Sequence, residues 1–241
     1  MLIAIASGKG GVGKTCIAIG LAHALAEAGR KPLLVDGDLG LANVDVQLGL
    51  QPRLDLGDVL AGRCGIGEAV LRHPAGFDVL PGRSGSVELA AMNGALLVRL
   101  LREQARAIVL DLGAGLGAAQ RQLAAAADEL VVVANEEPTS LTDAYAVLKL
   151  HHRDAPFGRA GVVVNLVAQL GQARKVHAAL DSACRNFLGT AVPLLGAIRR
   201  DPGISASIRA QTPLLTRHPA GPAAQDLRAL AARLMAQAVP A

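Results

Sequence analysis

Two lysines, a threonine and three aspartates are spaced as chemistry on a phosphate requires. Ser7-Gly8-Lys9-Gly10-Gly11-Val12-Gly13-Lys14-Thr15 follows the apolar run Leu2–Ala6 and precedes a helical pattern. From Gly8 to Thr15 it matches G-x-x-x-x-G-K-[ST], in the strand–loop–helix context that the motif needs. Glycines let the backbone take positive φ and turn its N–H groups inward. Such a nest, with the following helix N-terminus, holds phosphate oxygens. Lys14 is then placed to reach the β- and γ-phosphates, and the Thr15 hydroxyl to bind Mg²⁺. Val12 and Cys16 belong to the same nucleotide-contacting run. Lys9 is a second lysine, where a phosphate loop needs only one.

The aspartates close two other apolar runs. Leu33-Leu34-Val35-Asp36-Gly37-Asp38 ends in carboxylates at i and i+2, at the edge of a sheet where α/β ligands sit. One carboxylate can hold the metal's water shell and the other can orient an attacking water. Asn43, just downstream, is a candidate switch position. Ala107-Ile108-Val109-Leu110-Asp111 is an apolar strand ending in an acid, the arrangement that bonds a Mg²⁺ shell. Gly113 and Gly115 follow it and would let a switch loop respond to a γ-phosphate. Asp36, Asp111 and Thr15 are thus the expected metal set. Lys9, Lys14 and Asp38 are the expected catalytic set. Phosphoryl transfer rests mainly on positioning and charge neutralisation, so slow, partner-stimulated turnover is expected.

The elements that must position these groups alternate along the chain. Apolar runs at Leu2–Ala6, Leu33–Asp36, Phe77–Leu80, Ala107–Asp111, Glu129–Ala134, Gly161–Asn165 and Leu194–Ile198 read as strands buried on both faces of a parallel sheet. Helical stretches lie between them, at Thr15–Ala28, Gly94–Glu103, Ala118–Ala127, Leu141–His152, Gln172–Leu188 and Gln225–Gln237. This rhythm predicts a single doubly wound α/β domain over residues 1–241, its sheet mostly parallel with helices on both faces.

Composition narrows the function classes. Hydrophobic residues make up 51% and charged residues 18%, which is globular rather than disordered. Aromatic residues are 2%, with no Trp, so a base-stacking platform for single-stranded nucleic acid is not expected. The formal charge of +4 and pI near 9.3 are mildly basic. No dense Lys/Arg run accompanies them, so DNA binding is not expected. Cys16, Cys64 and Cys184 form no CxxC pair, which suits a reducing cytosol. His151-His152 has no further ligand at metal spacing and reads as a helix end. Neither a signal peptide nor a membrane-spanning run is present.

Lys9 together with Lys14, in the pattern K-G-G-x-G-K-T, resembles the deviant-Walker MinD/ParA family of P-loop ATPases. The resemblance implies an ATP-dependent homodimer in which Lys9 reaches the partner subunit's nucleotide. It also implies that Asp38 polarises the hydrolytic water and that Asp36 lies near Mg²⁺. Asn165 is the implied adenine contact, and Val164-Asn165-Leu166-Val167 lacks the Asn-Lys-x-Asp of a GTPase. The family's second base contact is a Pro-x-Asp. Here Arg199-Arg200-Asp201 keeps the Asp without the Pro. The stretches Asp36–Leu50, Leu54–Gly62 and Asn135–Tyr145 look like the flagellar number regulators, the FlhG/FleN group. That resemblance implies control of flagellar number, placement or gene expression through a protein partner, a flagellar regulator or assembly factor. DNA- or cargo-partitioning and division-site ATPases of the same family are the alternatives. The family commonly has Ala where Gly37 stands here. Many members carry an N-terminal extension that stimulates a signal-recognition-type GTPase; this chain starts at its first strand, which leaves that activity open. Leu227, Leu230, Leu234 and Met235 mark one face of the terminal helix, 225–237. It reads as core-packing, with weak membrane contact as the alternative. The expected location is cytosolic, at most peripheral to the membrane's inner face.

Overall fold

The computed structural model describes residues 1–38, 40–82 and 94–238. Among these, eight strands form one sheet: β1 (Leu2–Ala6), β2 (Leu33–Gly37), β3 (Leu71–Arg72), β4 (Asp78–Leu80), β5 (Ile108–Leu112), β6 (Glu129–Ala134), β7 (Ala160–Val167) and β8 (Leu194–Arg199). Their order is β3-β4-β2-β5-β1-β6-β7-β8. Every pairing is parallel except β3 with β4. Parallel strands need crossovers, and helices supply them. Each strand buried on both faces divides its residues between two cores. Leu2, Ala4 and Ala6 face one, while Ile3 and Ile5 face the other.

The helices are α1 (Lys14–Glu27), α2 (Val44–Leu48), α3 (Leu56–Leu60), α4 (Ile66–Ala69), α5 (Gly94–Arg102), α6 (Ala118–Ala125), α7 (Pro138–Asp154), α8 (Leu170–Leu188), α9 (Pro202–Arg209), α10 (Leu214–Arg217) and α11 (Pro222–Ala238). Helix α1 is buried along most of its length, as its all-round apolar sequence requires. The terminal helix α11 lies against it. A Cβ on Gly20 would stand 2.4 Å from Leu227 Cδ1, so glycine sets how closely the two helices approach. Leu227, Leu230 and Leu234 are buried there, and Arg228 forks onto Glu27 at 2.6 and 2.9 Å. The apolar face of the terminal helix is therefore spent in the core. No described helix is long and apolar enough to cross a membrane.

Three differences from the sequence reading have simple causes. Helix α7 starts at Pro138 rather than Leu141, because proline supplies the φ of the first helical turn and lacks only an N–H that would go unpaired. The short helices α2, α3, α4, α9 and α10 were not expected, since four to eight residues carry too little periodicity. Strand β3, two residues long, gives no pattern at all.

Candidate nucleotide-binding site

The glycine-rich loop leaves β1 at the carboxyl edge of the sheet and enters α1. Gly11 and Gly13 take φ of +79° and +93°, the region only glycine enters freely. Gly13 is the N-cap of α1 and has a second constraint. A Cβ there would stand 2.4 Å from Asn165 Nδ2. Gly8 is constrained by contact rather than torsion, since its Cβ would stand 2.6 Å from the Cβ of Asp143 in α7. Lys14 is buried and donates to Ser7 Oγ at 3.0 Å, and Ser7 donates in turn to the Lys9 carbonyl at 2.6 Å. Burial lowers the Lys14 pKa, while the nearby Asp111 and Asp38 oppose that shift.

The three carboxylates converge, because β2 and β5 are neighbours and Asp36 pairs in register with Asp111. Asp36 is buried and accepts N–H bonds from Asp38 at 3.1 Å, Asn43 at 2.9 Å and Val44 at 3.0 Å. It thereby caps α2, whose own N-cap Asn43 uses its side chain to accept from Gln47 at 3.1 Å. Burial still pushes the Asp36 carboxyl up to about 6. Asp38 holds the following turn through the N–H groups of Gly40 at 3.2 Å and Leu41 at 3.0 Å. Its Oδ1 lies 3.0 Å from where a Cβ on Gly113 would be, so that glycine keeps the two loops close. Gly115, at φ +103°, donates to the Ser7 carbonyl at 3.1 Å and ties the second loop back to the first.

Asp111 is buried as well. Burial is the main cause that raises its carboxyl to about 7, opposed by a hydrogen bond from Thr15. Its Oδ1 is buried with no hydrogen-bond partner. Such an orphaned hard oxygen, beside the Thr15 hydroxyl and a second acid, fits Mg²⁺. The sign of the pH effect follows. The folded pKa lies above the ordinary 3.8, so the stability this group contributes is complete below that value and is lost as pH rises through about 7. Mg²⁺ needs the charged form. The Mg²⁺-dependent gain in melting temperature with ADP is therefore expected to grow from about pH 6 to about pH 8, and to be absent in Asp111→Asn. A gain independent of pH would contradict the ligand assignment.

Not every expected residue comes to the phosphate cradle. Lys9 points away from it. Its Nζ, exposed, lies 2.6 Å from Glu137 Oε2 and 3.4 Å from Thr139 Oγ1. Asn165 does reach the loop: Nδ2 donates to the Val12 carbonyl at 2.7 Å, and Oδ1 is left buried without a partner. It sits where β7 bulges between Val164 and Val167, with Leu166 at φ +60°. Cys16 donates to Gln47 Oε1 at 3.6 Å, and burial pushes its thiol up to about 11, far from a reactive thiolate. Asp201 is engaged elsewhere. It accepts from Gly203 N at 2.8 Å and from Ala223 N at 3.2 Å, capping α9 and bonding the start of α11. Each of its oxygens thus accepts one backbone N–H. Ser7, Gln47, Glu137 and Thr139 are site residues that the sequence reading did not single out. Ser7 stood inside the quoted motif. Glu137 lies 128 residues from Lys9, beyond the reach of any local pattern.

Known proteins agree with this geometry. The family described as CbiA, the CobQ/CobB/MinD/ParA nucleotide-binding domain, matches residues 3–214. The antiactivator FleN of Pseudomonas aeruginosa is 37% identical over 246 residues, covering 100% of this chain and 88% of FleN. The flagellum site-determining protein YlxH of Helicobacter pylori is 33% identical, over 86% of this chain and 72% of its own. Among solved structures, the septum site-determining protein MinD of Pyrococcus horikoshii, complexed with Mg-ADP, superposes with a TM-score of 0.81 at 28% identity, covering 97% of this chain and 95% of that one. The phosphate-binding loop, the acids at the strand ends and these matches together place the chain in the CobQ/CobB/MinD/ParA family of P-loop ATPases.

Proposed function

We propose that the protein is an ATP-driven switch that dimerises over its nucleotide, hydrolyses ATP to ADP and phosphate, and through the closed form restrains flagellar assembly or flagellar gene expression. The observation that carries the dimer is Lys9. A lysine inside a phosphate loop, yet exposed and paired with Glu137 rather than turned into the cradle, is free to serve a nucleotide held by a second copy. On closure it exchanges a surface ion pair, worth about 0–1 kcal/mol, for a charge-assisted contact with phosphate.

Within one subunit the roles divide by position. The N–H groups of Gly8 to Thr15 and the buried Lys14 bind the phosphates. Thr15 and Asp111, with Asp36 behind them, hold Mg²⁺, which supplies charge neutralisation on the phosphates. Asp38 orients the attacking water. Asn165 takes the adenine. One of its amide hydrogens is held by Val12; the other, with the Oδ1 acceptor, is the pair that matches N7 and the 6-amino group of adenine. Asp201, each of whose oxygens accepts one backbone N–H and keeps a lone pair, is the second candidate contact for the base. Asn43, Gly113 and Gly115 carry the response to the γ-phosphate.

The names of FleN and YlxH support the flagellar role, and a flagellar regulator or assembly factor is the partner class. Light scattering with a non-hydrolysable ATP analogue tests the switch. The wild type is expected to dimerise, and Lys9→Ala to bind nucleotide as a monomer with dimerisation lost. Equal loss of binding and dimerisation would sink the role of Lys9 in trans. The flagellar role is tested by deleting the gene and counting flagella by electron microscopy. Extra flagella support it, and an unchanged count would move the assignment to partitioning or division while leaving the ATP switch intact.

A further inference from the structure

The end of the sheet remote from the phosphate loop carries a second concave surface. A groove of about 660 Å³ runs under the amino-terminal ends of β1, β2 and β5. Its charged side chains are Arg30, Lys31, Arg102 and Arg106, with no acid among the lining residues. Ala105, exposed, and Met235, half-buried, add apolar surface. Strands of five residues at about 3.3 Å each set this groove about 16 Å from the nucleotide end.

The four cations differ in how they are held. Arg102 is braced by Asp128 at 2.9 Å and by the Ala126 carbonyl at 2.7 Å. Arg106 is braced by Asp78 at 2.5 Å. These two are partly neutralised but fixed in position. Arg30 and Lys31 are exposed, and neither forms an ion pair among the described residues. Their backbone is nonetheless set. Gly29, at φ +78°, ends α1, and Arg30 N bonds back to the Leu25 carbonyl at 3.0 Å. The uncompensated charge thus sits on a rigid turn at the rim of a pocket with apolar walls.

We propose that this groove docks an acidic peptide segment of a protein partner, its carboxylates on Arg30 and Lys31 and one apolar side chain against Ala105 and Met235. Concavity favours an inserted segment, since a planar lipid surface would touch only the rim. The volume lies in the range of ordinary ligand clefts. Because the groove and the phosphate cradle occupy opposite ends of the strands, docking is independent of the nucleotide bound. The proposal does not rest on the ATP switch.

The test uses the full chain and a fluorescein-labelled Glu-Glu-Leu-Glu-Glu-Leu-Glu peptide, read by fluorescence anisotropy with ADP and with a non-hydrolysable ATP analogue. The double variant R30E/K31E is expected to lose roughly tenfold or more in affinity. A second variant, R209E/R217E, reverses two other exposed arginines and is expected to stay within about twofold of wild type. Binding should weaken with salt and ignore the nucleotide. Equal losses in the two variants would reduce the effect to overall charge and overturn the site. So would undiminished binding by R30E/K31E, or affinity that follows the nucleotide. Tighter binding to phosphatidylcholine vesicles containing phosphatidylglycerol, or to a short DNA duplex, lost in R30E/K31E, would overturn the peptide assignment. The positions are exposed, and a melting curve for each variant checks the fold.

Discussion

Replacing Lys14 with alanine is expected to weaken ADP and ATP binding by at least about tenfold, the loss of a hydrogen bond to a charged group worth about 1.5–3 kcal/mol. Lys14 is buried and bonded to Ser7 Oγ at 3.0 Å, so its ammonium already stands in place before nucleotide arrives. Little ordering remains to oppose binding, and the contact should count nearly in full. Alanine also removes the cation that opposes the mutual repulsion of Asp36, Asp38 and Asp111. The metal-free variant should therefore favour protonated Asp111 still more than the wild type does. Calorimetry with ADP gives the affinity, and a thermal melt shows whether the variant is folded. Unchanged affinity in a folded variant would overturn the assignment of the loop.

Asp38 should show the larger effect on turnover. A positioned acid–base group contributes about 10²–10⁴-fold, and Asp38→Ala is expected to reduce phosphate release by about that factor with ATP still bound. The side chain has a second task, since its Oδ1 accepts from Gly40 and Leu41 and so shapes the turn. Asp38→Asn separates the two. Asparagine keeps an oxygen for those N–H groups and loses the charge that orients water. If Asp38→Asn releases phosphate at the wild-type rate, the residue shapes the loop and does nothing to the water. If both variants stall with ATP bound, the dimer should accumulate, which light scattering would register.

The core of the site was legible because it is local. The phosphate loop is a contiguous run whose glycines and lysine announce their own conformation. The strands are apolar throughout because both faces are covered, and their shortness and Val/Ile content set them apart from the longer α1. Asp36 and Asp111 were found as acids at strand ends, and adjacency of β2 and β5 then brought them together. What escaped was long-range. The pairing of Lys9 with Glu137 joins the first loop to the start of α7. Asp143 against Gly8 does the same through steric contact alone. The part Asp201 plays in the fold was likewise out of reach of its motif: its carboxylate accepts from two backbone N–H groups, one of them 22 residues away.

That double cap has a consequence for how the molecule breathes. One carboxylate satisfies an amide at the start of α9 and another at the start of α11, and α11 in turn packs on α1 through Leu227. A fray at the amino end of either helix removes one of the two bonds that fix the Asp201 carboxylate. The segment from Asp201 to Ala238 should thus behave as one cooperative opening unit, its amides exchanging with solvent deuterium at a common rate. Because α1 begins at the phosphate loop, that rate should slow when nucleotide is bound.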